Sequence, residues 1–146
     1  FIMRMVANEF EGLLSSLAIA ARSYKKAVND ELSHHGITMR QWRVIKCLCS
    51  EDNIAIGRLA ERLRIKAPTL VGVLSRMSRN GLVTLVASRS DRRVKRVRLS
   101  SRGRGLCAVG TACEQRVEVE VLSGLSDVEV LQLLSVLQKI CRNLQS

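Results

Sequence analysis

The sequence predicts a mainly α-helical fold with a small β-hairpin wing: a winged helix-turn-helix flanked by longer helices at the N- and C-terminal ends. Three observations predict it. Apolar residues recur at helical spacing along most of the chain. The period shortens to two over "LVTLVA" (82–87) and "VKRVRL" (94–99), the mark of two short strands. Positive charge is confined to the part of the chain that holds this hairpin and the two short helices before it. Residues 51–104 carry 14 basic and 4 acidic side chains, whereas the rest of the chain carries 10 basic and 9 acidic.

The first helix is marked by Asn8 and Glu11, at capping-box spacing, and by Phe10, Leu13, Leu14, Leu17, Ala18, Ala21, Tyr24, Val28 and Leu32 on one face. Gly36, after His34 and His35, ends it. A stripe this long needs another helix to pack on, and a second subunit would supply one. Within it "GLLSSLAIAA" (12–21) has the look of a signal-peptide core. Glu9 and Glu11, however, stand where a basic region would be needed, so an amphipathic helix is the better reading.

Thr38 and Gln41 form a second capping box, with Ile37 and Trp42 at the two staple positions, opening a helix that buries Val44, Ile45 and Leu48 and ends near Cys49. "SEDN" (50–53) reads as a loop. Ile56, Leu59, Ala60 and Leu63 then line a short helix without an obvious cap. "RIKA" turns the chain into a further helix from Ala67–Pro68, where proline loses no intrahelical bond. That helix buries Leu70, Leu74 and Met77 and stops at Asn80–Gly81. The hairpin follows, with Val94, Val97 and Leu99 as candidates for its inner face. Two helices close the chain. One runs from near Ser101 to about Leu122 and contains glycines 103, 105 and 110. The other starts at the Ser126–Glu129 capping box, with Leu125 and Val130 as its staple, and is expected to bury Leu131, Leu134, Leu137, Cys141 and Leu144.

The net charge of +11 points to a polyanionic partner. No apolar run reaches the length of a membrane span, so no membrane partner is expected. Five cysteines, an odd number without a CxxC pair, argue against a disulfide framework and a zinc site. The expectation is free, mostly buried thiols in a reducing, cytoplasmic setting. Neither an acid nor a cysteine stands at ligand spacing from His34 and His35, so no metal is expected there. The chain shows no nucleophile–base motif, phosphate loop or carboxylate pair; it reads as a non-enzyme without a cofactor.

"GITMRQWRVIKCL", "IGRLAERLRIKAPTLVGVLSRMSRNGLV" and "SDRRVKRVRLSSRG" resemble the MarR family of bacterial transcriptional regulators, and "PTLV" with "SDRRxKR" is most similar to its SlyA-type branch. The resemblance covers about residues 10–145. It implies a dimerisation helix at 1–36, a DNA-binding winged domain at 37–100 and dimerisation helices at 101–146. The partner it implies is double-stranded DNA, a pseudo-palindromic operator read by a homodimer. Carried over by position, Pro68 and Thr69 would face bases at the start of the recognition helix, with Lys66, Ala67 and Gly72 beside them among the DNA-binding residues, and Arg93 would enter the minor groove. Asp91 would steady the wing by pairing with an arginine. Arg76, Arg79, Arg89, Arg92, Lys95 and Arg96, with Lys66, become phosphate contacts. A small aromatic acid or phenol is the implied ligand, with Trp42, Thr38, Arg22 and Arg43 as candidates to hold it.

The chain departs from the family pattern at Gly72, where SlyA-like relatives carry a base-contacting arginine, a contact worth roughly 1–3 kcal/mol of discrimination. It also lacks the first-helix cysteine of the peroxide-sensing branch. Cys107, Cys113 and Cys141 remain as candidates for a thiol-based switch, while Cys47 and Cys49 point away from each other on one helix. Three alternatives stay open beside the ligand-relieved regulator. They are a ligand-independent counter-silencing factor of the SlyA kind, a cysteine-based redox-responsive regulator, and a basic protein that grips RNA through charge alone. The last lacks aromatic platforms in the basic window, since Tyr24 and Trp42 both lie outside it.

Overall fold

The fold is a computed structural model that describes the backbone of residues 2–87, 89–90 and 95–145, with side chains from residue 12 onward among these. Its elements run α1 (Ile2–Ser33), α2 (Met39–Ser50), β1 (Ile54–Ala55), α3 (Ile56–Leu63), α4 (Ala67–Arg79), β2 (Val83–Ala87), β3 (Lys95–Leu99), α5 (Ser101–Val121) and α6 (Asp127–Asn143). The mainly α fold with a hairpin wing is the one the periodicity predicts.

The capping boxes of α2 and α6 form as expected. The Thr38 amide donates to Gln41 Oε1 at 2.9 Å and the Gln41 amide to Thr38 Oγ1 at 3.2 Å. In α6 the Ser126 amide donates to Glu129 Oε2 at 2.8 Å and the Glu129 amide to Ser126 Oγ at 3.3 Å. The first box does not cap: α1 already begins at Ile2, so Asn8 lies inside the helix. Ala55, at the start of α3, offers no side-chain cap.

The core is gathered around α2–α5, and among the described side chains of α1 it takes in Val28 and Leu32. Leu70, Val73, Leu74 and Met77 bury one face of α4 in the cluster that also holds Leu59 and Leu63 of α3 and Val83 of β2. The sheet has the order β1-β3-β2, all antiparallel, with Val97 opposite both Ile54 and Leu85. Strand β1 is an addition to the sequence reading. Two residues are too short to show a period, and only their pairing with β3 makes them a strand. Val94 lies outside the described residues.

Two glycines of α5 let that helix close on the winged unit. A Cβ on Gly103 would stand 2.1 Å from the Leu82 carbonyl oxygen, and one on Gly110 would stand 2.2 Å from the Trp42 ring. The seam is reinforced by Ser100, whose hydroxyl donates to the Gly81 carbonyl at 2.6 Å and accepts from the Gly103 amide at 3.0 Å. Arg116 reaches from α5 to Glu31 of α1 at 2.9 Å.

Two expectations are corrected. Leu131, Leu134 and Leu144 of α6 are exposed, Leu137 is half-buried, Cys141 is exposed, and α6 buries none of its residues within the chain. Leu13 and Leu14 of α1 are exposed as well. The stripes exist, but one chain provides nothing to cover them. The second correction concerns the thiols: Cys49 of α2 and Cys107 of α5 form a disulfide, leaving Cys47, Cys113 and Cys141 free. Their separation of 58 residues hides the pair in the sequence; packing α2 on α5 brings the Cα atoms to 6.2 Å, within bridging distance.

Gly110→Ala is expected to cost about 1–3 kcal/mol through overpacking against Trp42. Gly105→Ala, in open space on the same helix, should be neutral or stabilising by up to about 1 kcal/mol. Thermal unfolding of the two variants, followed by the fluorescence of the single tryptophan, checks both. Thiol titration of the denatured, unreduced protein should find three free thiols of the five cysteines; five would refute the bridge.

Candidate nucleic-acid interface

The helix-turn-helix is formed by α3 and α4. Arg64 closes α3 in the left-handed conformation (φ 53°), and its amide bonds the Glu61 carbonyl at 3.0 Å. Arg43 of α2 secures the same helix end by donating to the Leu63 carbonyl at 2.7 Å. Helix α4 starts at Lys66, which offers no side-chain cap, so its first-turn amides remain available to an anion.

With Leu70, Val73, Leu74 and Met77 facing the core, the other side of α4 faces solvent. Lys66, Ala67, Pro68 and Thr69 are exposed at its start, Gly72 is half-buried midway, and Arg76 and Arg79 are exposed in its last turns. Arg76 Nε donates to the Gly72 carbonyl at 3.2 Å, which lays this side chain along the helix. Arg89 and Lys95 are exposed at either end of the hairpin segment. Asp91, Arg92 and Arg93 lie outside the described residues.

Arg96 sits differently from the other basic side chains. It is half-buried, and both its Nε and Nη2 donate to the Asn53 carbonyl, the first at 3.0 Å. Its guanidinium therefore ties the wing to the loop before β1. Asn53 adopts a left-handed conformation (φ 55°) that turns this carbonyl toward the wing.

Beside it, Asp52 fastens the other end of β3. Its Oδ1 accepts from the amides of Leu99 and Asn53, each at 2.9 Å, and its Oδ2 accepts from Arg104 Nη2 of α5 at 3.0 Å. Partial burial works to raise the pKa of this carboxyl. The two amide bonds and the Arg104 guanidinium outweigh it and hold the group below the ordinary aspartate value. Glu51 is committed nearby, pairing with Arg62 at 2.6 Å and Arg58 at 3.4 Å.

Behind the helix-turn-helix lies a cavity of about 1170 Å³ with walls from α1 to α5. Lys25, Arg40, Arg43, Lys46, Arg62 and Arg76 all line it. Glu114 is the acid in the wall, and it is paired with Lys46 at 2.6 Å. Burial, then the charges of Glu114 and Glu118, raise the pKa of Tyr24, so its phenol stays protonated at the cavity wall. Of the residues named as candidates to hold a ligand, Thr38 and Arg43 line the cavity. Trp42 does not: it is buried in the core against Gly110, with its indole N–H unpartnered. The staple position that opens α2 turns this ring inward, away from the cavity. Arg22 is exposed on α1, outside the lining.

The model of the MarR family matches residues 37–95, the span from the start of α2's cap to the start of β3. Over that span the chain is similar to the MarR family. The whole chain is similar to solved structures of that fold. An E. coli MarR mutant complexed with operator DNA is 24% identical, with a TM-score of 0.83 over 91% of this chain and 96% of that one. The transcriptional regulator SlyA is 22% identical, with a TM-score of 0.80 over 90% and 93%. A MarR family protein from Bacillus stearothermophilus is 26% identical, with a TM-score of 0.74 over 98% of both chains.

Sequence reasoning missed Asp52 and Asn53 altogether. Beside a long basic run, an acid in a loop has the signature of solvated polarity. The adjacent run "EDN" in an otherwise basic window was the available signal. Lys25, Arg40, Lys46 and Arg62 were also missed, because the cavity forms only where α1, α2 and α3 come together.

Asp52→Asn should destabilise the protein by about 1 kcal/mol at neutral pH, since it weakens charge-assisted hydrogen bonds. A depressed carboxyl contributes stability that is fully present above its unfolded pKa and lost as pH falls through the folded one. The gap between wild type and variant should therefore close between about pH 5 and about pH 2. Urea unfolding across that range checks it; a gap independent of pH would contradict the assignment.

Proposed function

We propose that the chain is a transcriptional regulator that binds double-stranded DNA as a homodimer and reads a pseudo-palindromic operator. The observation that carries this reading is the confinement of positive charge to the domain whose helix α4 faces solvent. A helix in the major groove presents its N-terminal residues to base edges, while lysines and arginines around it neutralise phosphate. Lys66, Arg79, Arg89 and Lys95 suit the phosphate role by exposure. Arg93 is assigned to the minor groove by its place in the family motif. Arg96 is better assigned to positioning the wing, given its bonds to Asn53.

The uncovered stripes of α1 and α6 support the homodimer. Val128, Leu131 and Leu134 are each at least half exposed, and burying such side chains is worth about 1.5–3 kcal/mol apiece. Two winged domains held by one interface would meet half-sites about one helical turn apart. The cavity supports a small aromatic acid as effector, because its cations outnumber its paired acid and Tyr24 adds a neutral hydroxyl donor. An occupant there would touch α1, α2 and α4 together, and so could bias the spacing of the two recognition helices.

Duplex affinity should fall about a thousandfold or more between about 50 and about 200 mM salt if six or more phosphates are neutralised. A chain truncated after Leu125 should sediment as a monomer and lose duplex affinity. A truncated chain that binds as well as the intact one, or an intact chain that prefers single-stranded RNA, would overturn the proposal.

The Cys49–Cys107 bridge favours a second reading, in which thiol oxidation sets the DNA-binding state. Peroxide would take the two thiols to the disulfide and be reduced to water, clamping α2 to α5 at one edge of the cavity-forming helices. Duplex affinity measured with an aromatic carboxylate, and separately before and after dithiol reduction, separates the two. A response to the carboxylate alone supports the ligand reading, and a response to reduction alone supports the thiol reading.

A further inference from the structure

The recognition helix differs from a helix built to read bases by hydrogen bonding. Pro68, Gly72, Ser75 and Arg79 recur at helical spacing opposite the buried face of α4, and Val71 stands on the flank beside Gly72. This central turn carries no charged or amide side chain. The nearest one, Arg76, bends back to the Gly72 carbonyl and lines the cavity behind the helix. Val71 is 50% exposed, a large apolar side chain on the outward half of a helix set in the most basic part of the chain.

Gly72 adds an independent observation. It lies inside α4, where glycine costs helix stability, and it is not among the residues with positive φ. A Cβ there would meet nothing within 4 Å. Gly103 and Gly110 are required by packing, and Gly36, Gly81 and Gly124 by a left-handed backbone. Gly72 has neither reason within the chain. On the outward side of a recognition helix, its effect is to remove the side chain that would hold the backbone off the groove floor.

Resting on the DNA-binding reading above, we propose that α4 selects thymine by apolar contact: Val71 packs on a thymine C5 methyl, and Gly72 allows the close approach that brings it there. The major groove displays hydrogen-bonding groups on every pair, but the methyl marks thymine alone among the bases. Val71, which has neither donor nor acceptor in its side chain, can read that feature and no other. The basic window provides the attraction to duplex, so the apolar turn needs only to discriminate.

The test uses the full chain and the duplex it selects from a random library. Each thymine is replaced in turn by deoxyuridine, which removes only the methyl. Wild type should lose affinity about fourfold at one thymine in each half-site, the value of one buried methyl group. Val71→Ala should bind the thymine duplex about fourfold more weakly and show no further loss on the uracil duplex at that position. Alanine is a good helix former at an exposed site, and circular dichroism of the variant confirms its fold. Gly72→Arg should shift the selected sequence toward guanine near that position. A sequence-specific protein indifferent to every thymine methyl, or a methyl effect unchanged in Val71→Ala, would overturn this inference and leave DNA binding intact. A library that yields no preferred sequence would instead overturn the sequence-reading function, and this inference with it.

Discussion

Asp52 is where a strongly positive hairpin is fastened to the rest of the molecule. The wing cannot be held by its own charges, which repel one another, and its two strands bury few side chains. One carboxylate bonds the end of β3, the turn before β1 and the first turn of α5 together. Arg96 completes the fastening from the other strand position by bonding the Asn53 carbonyl. Asp52 and Asn53 therefore do for the wing what the apolar core does for α3 and α4. They turn a patch of like charge into a rigid, oriented surface.

Orientation of that surface relative to the flanking helices depends on contact at close range. Helix α5 has glycines where the Leu82 carbonyl and the Trp42 ring press against it, so its backbone lies directly on the winged unit. Arg116 joins it to α1, and the Cys49–Cys107 bridge joins it to α2. The basic cavity lies along the same seam, with walls from both the flanking helices and the helix-turn-helix. A ligand, a thiol reaction or a second subunit acting on this seam would thus move the winged domain as a body. The exposed stripes of α1 and α6 complete the picture: both helices carry large apolar side chains left uncovered among the described residues of a single chain.

Most of the fold was legible because local signals agreed with one another. Capping boxes at Thr38 and Ser126, proline at the start of α4, glycine after its end and a change of period at Leu82 each mark a boundary by backbone chemistry that needs no tertiary knowledge. What was not legible depended on residues distant in sequence. Strand β1 exists only through β3, the disulfide joins residues 58 apart, and the cavity takes its cations from several helices. Trp42 shows how a resemblance can mislead. The family resemblance implies a ligand near this position, but the place of Trp42 in the first turn of α2 sends the ring to Gly110. The glycines of α5 illustrate the converse. In sequence they weaken a helical pattern, whereas in the fold two of them are what the helix packs through.

The central claim is that a rigid, positively charged winged domain, paired by the apolar helices, reads sequence in duplex DNA. Selection from a random duplex library by the purified chain at about 150 mM salt tests it most directly, because binding by charge alone is already weakened there. The account predicts recovery of an inverted repeat with half-site centres about one helical turn apart. Enrichment of duplexes without a common motif would contradict it and reduce the basic domain to a backbone-binding surface.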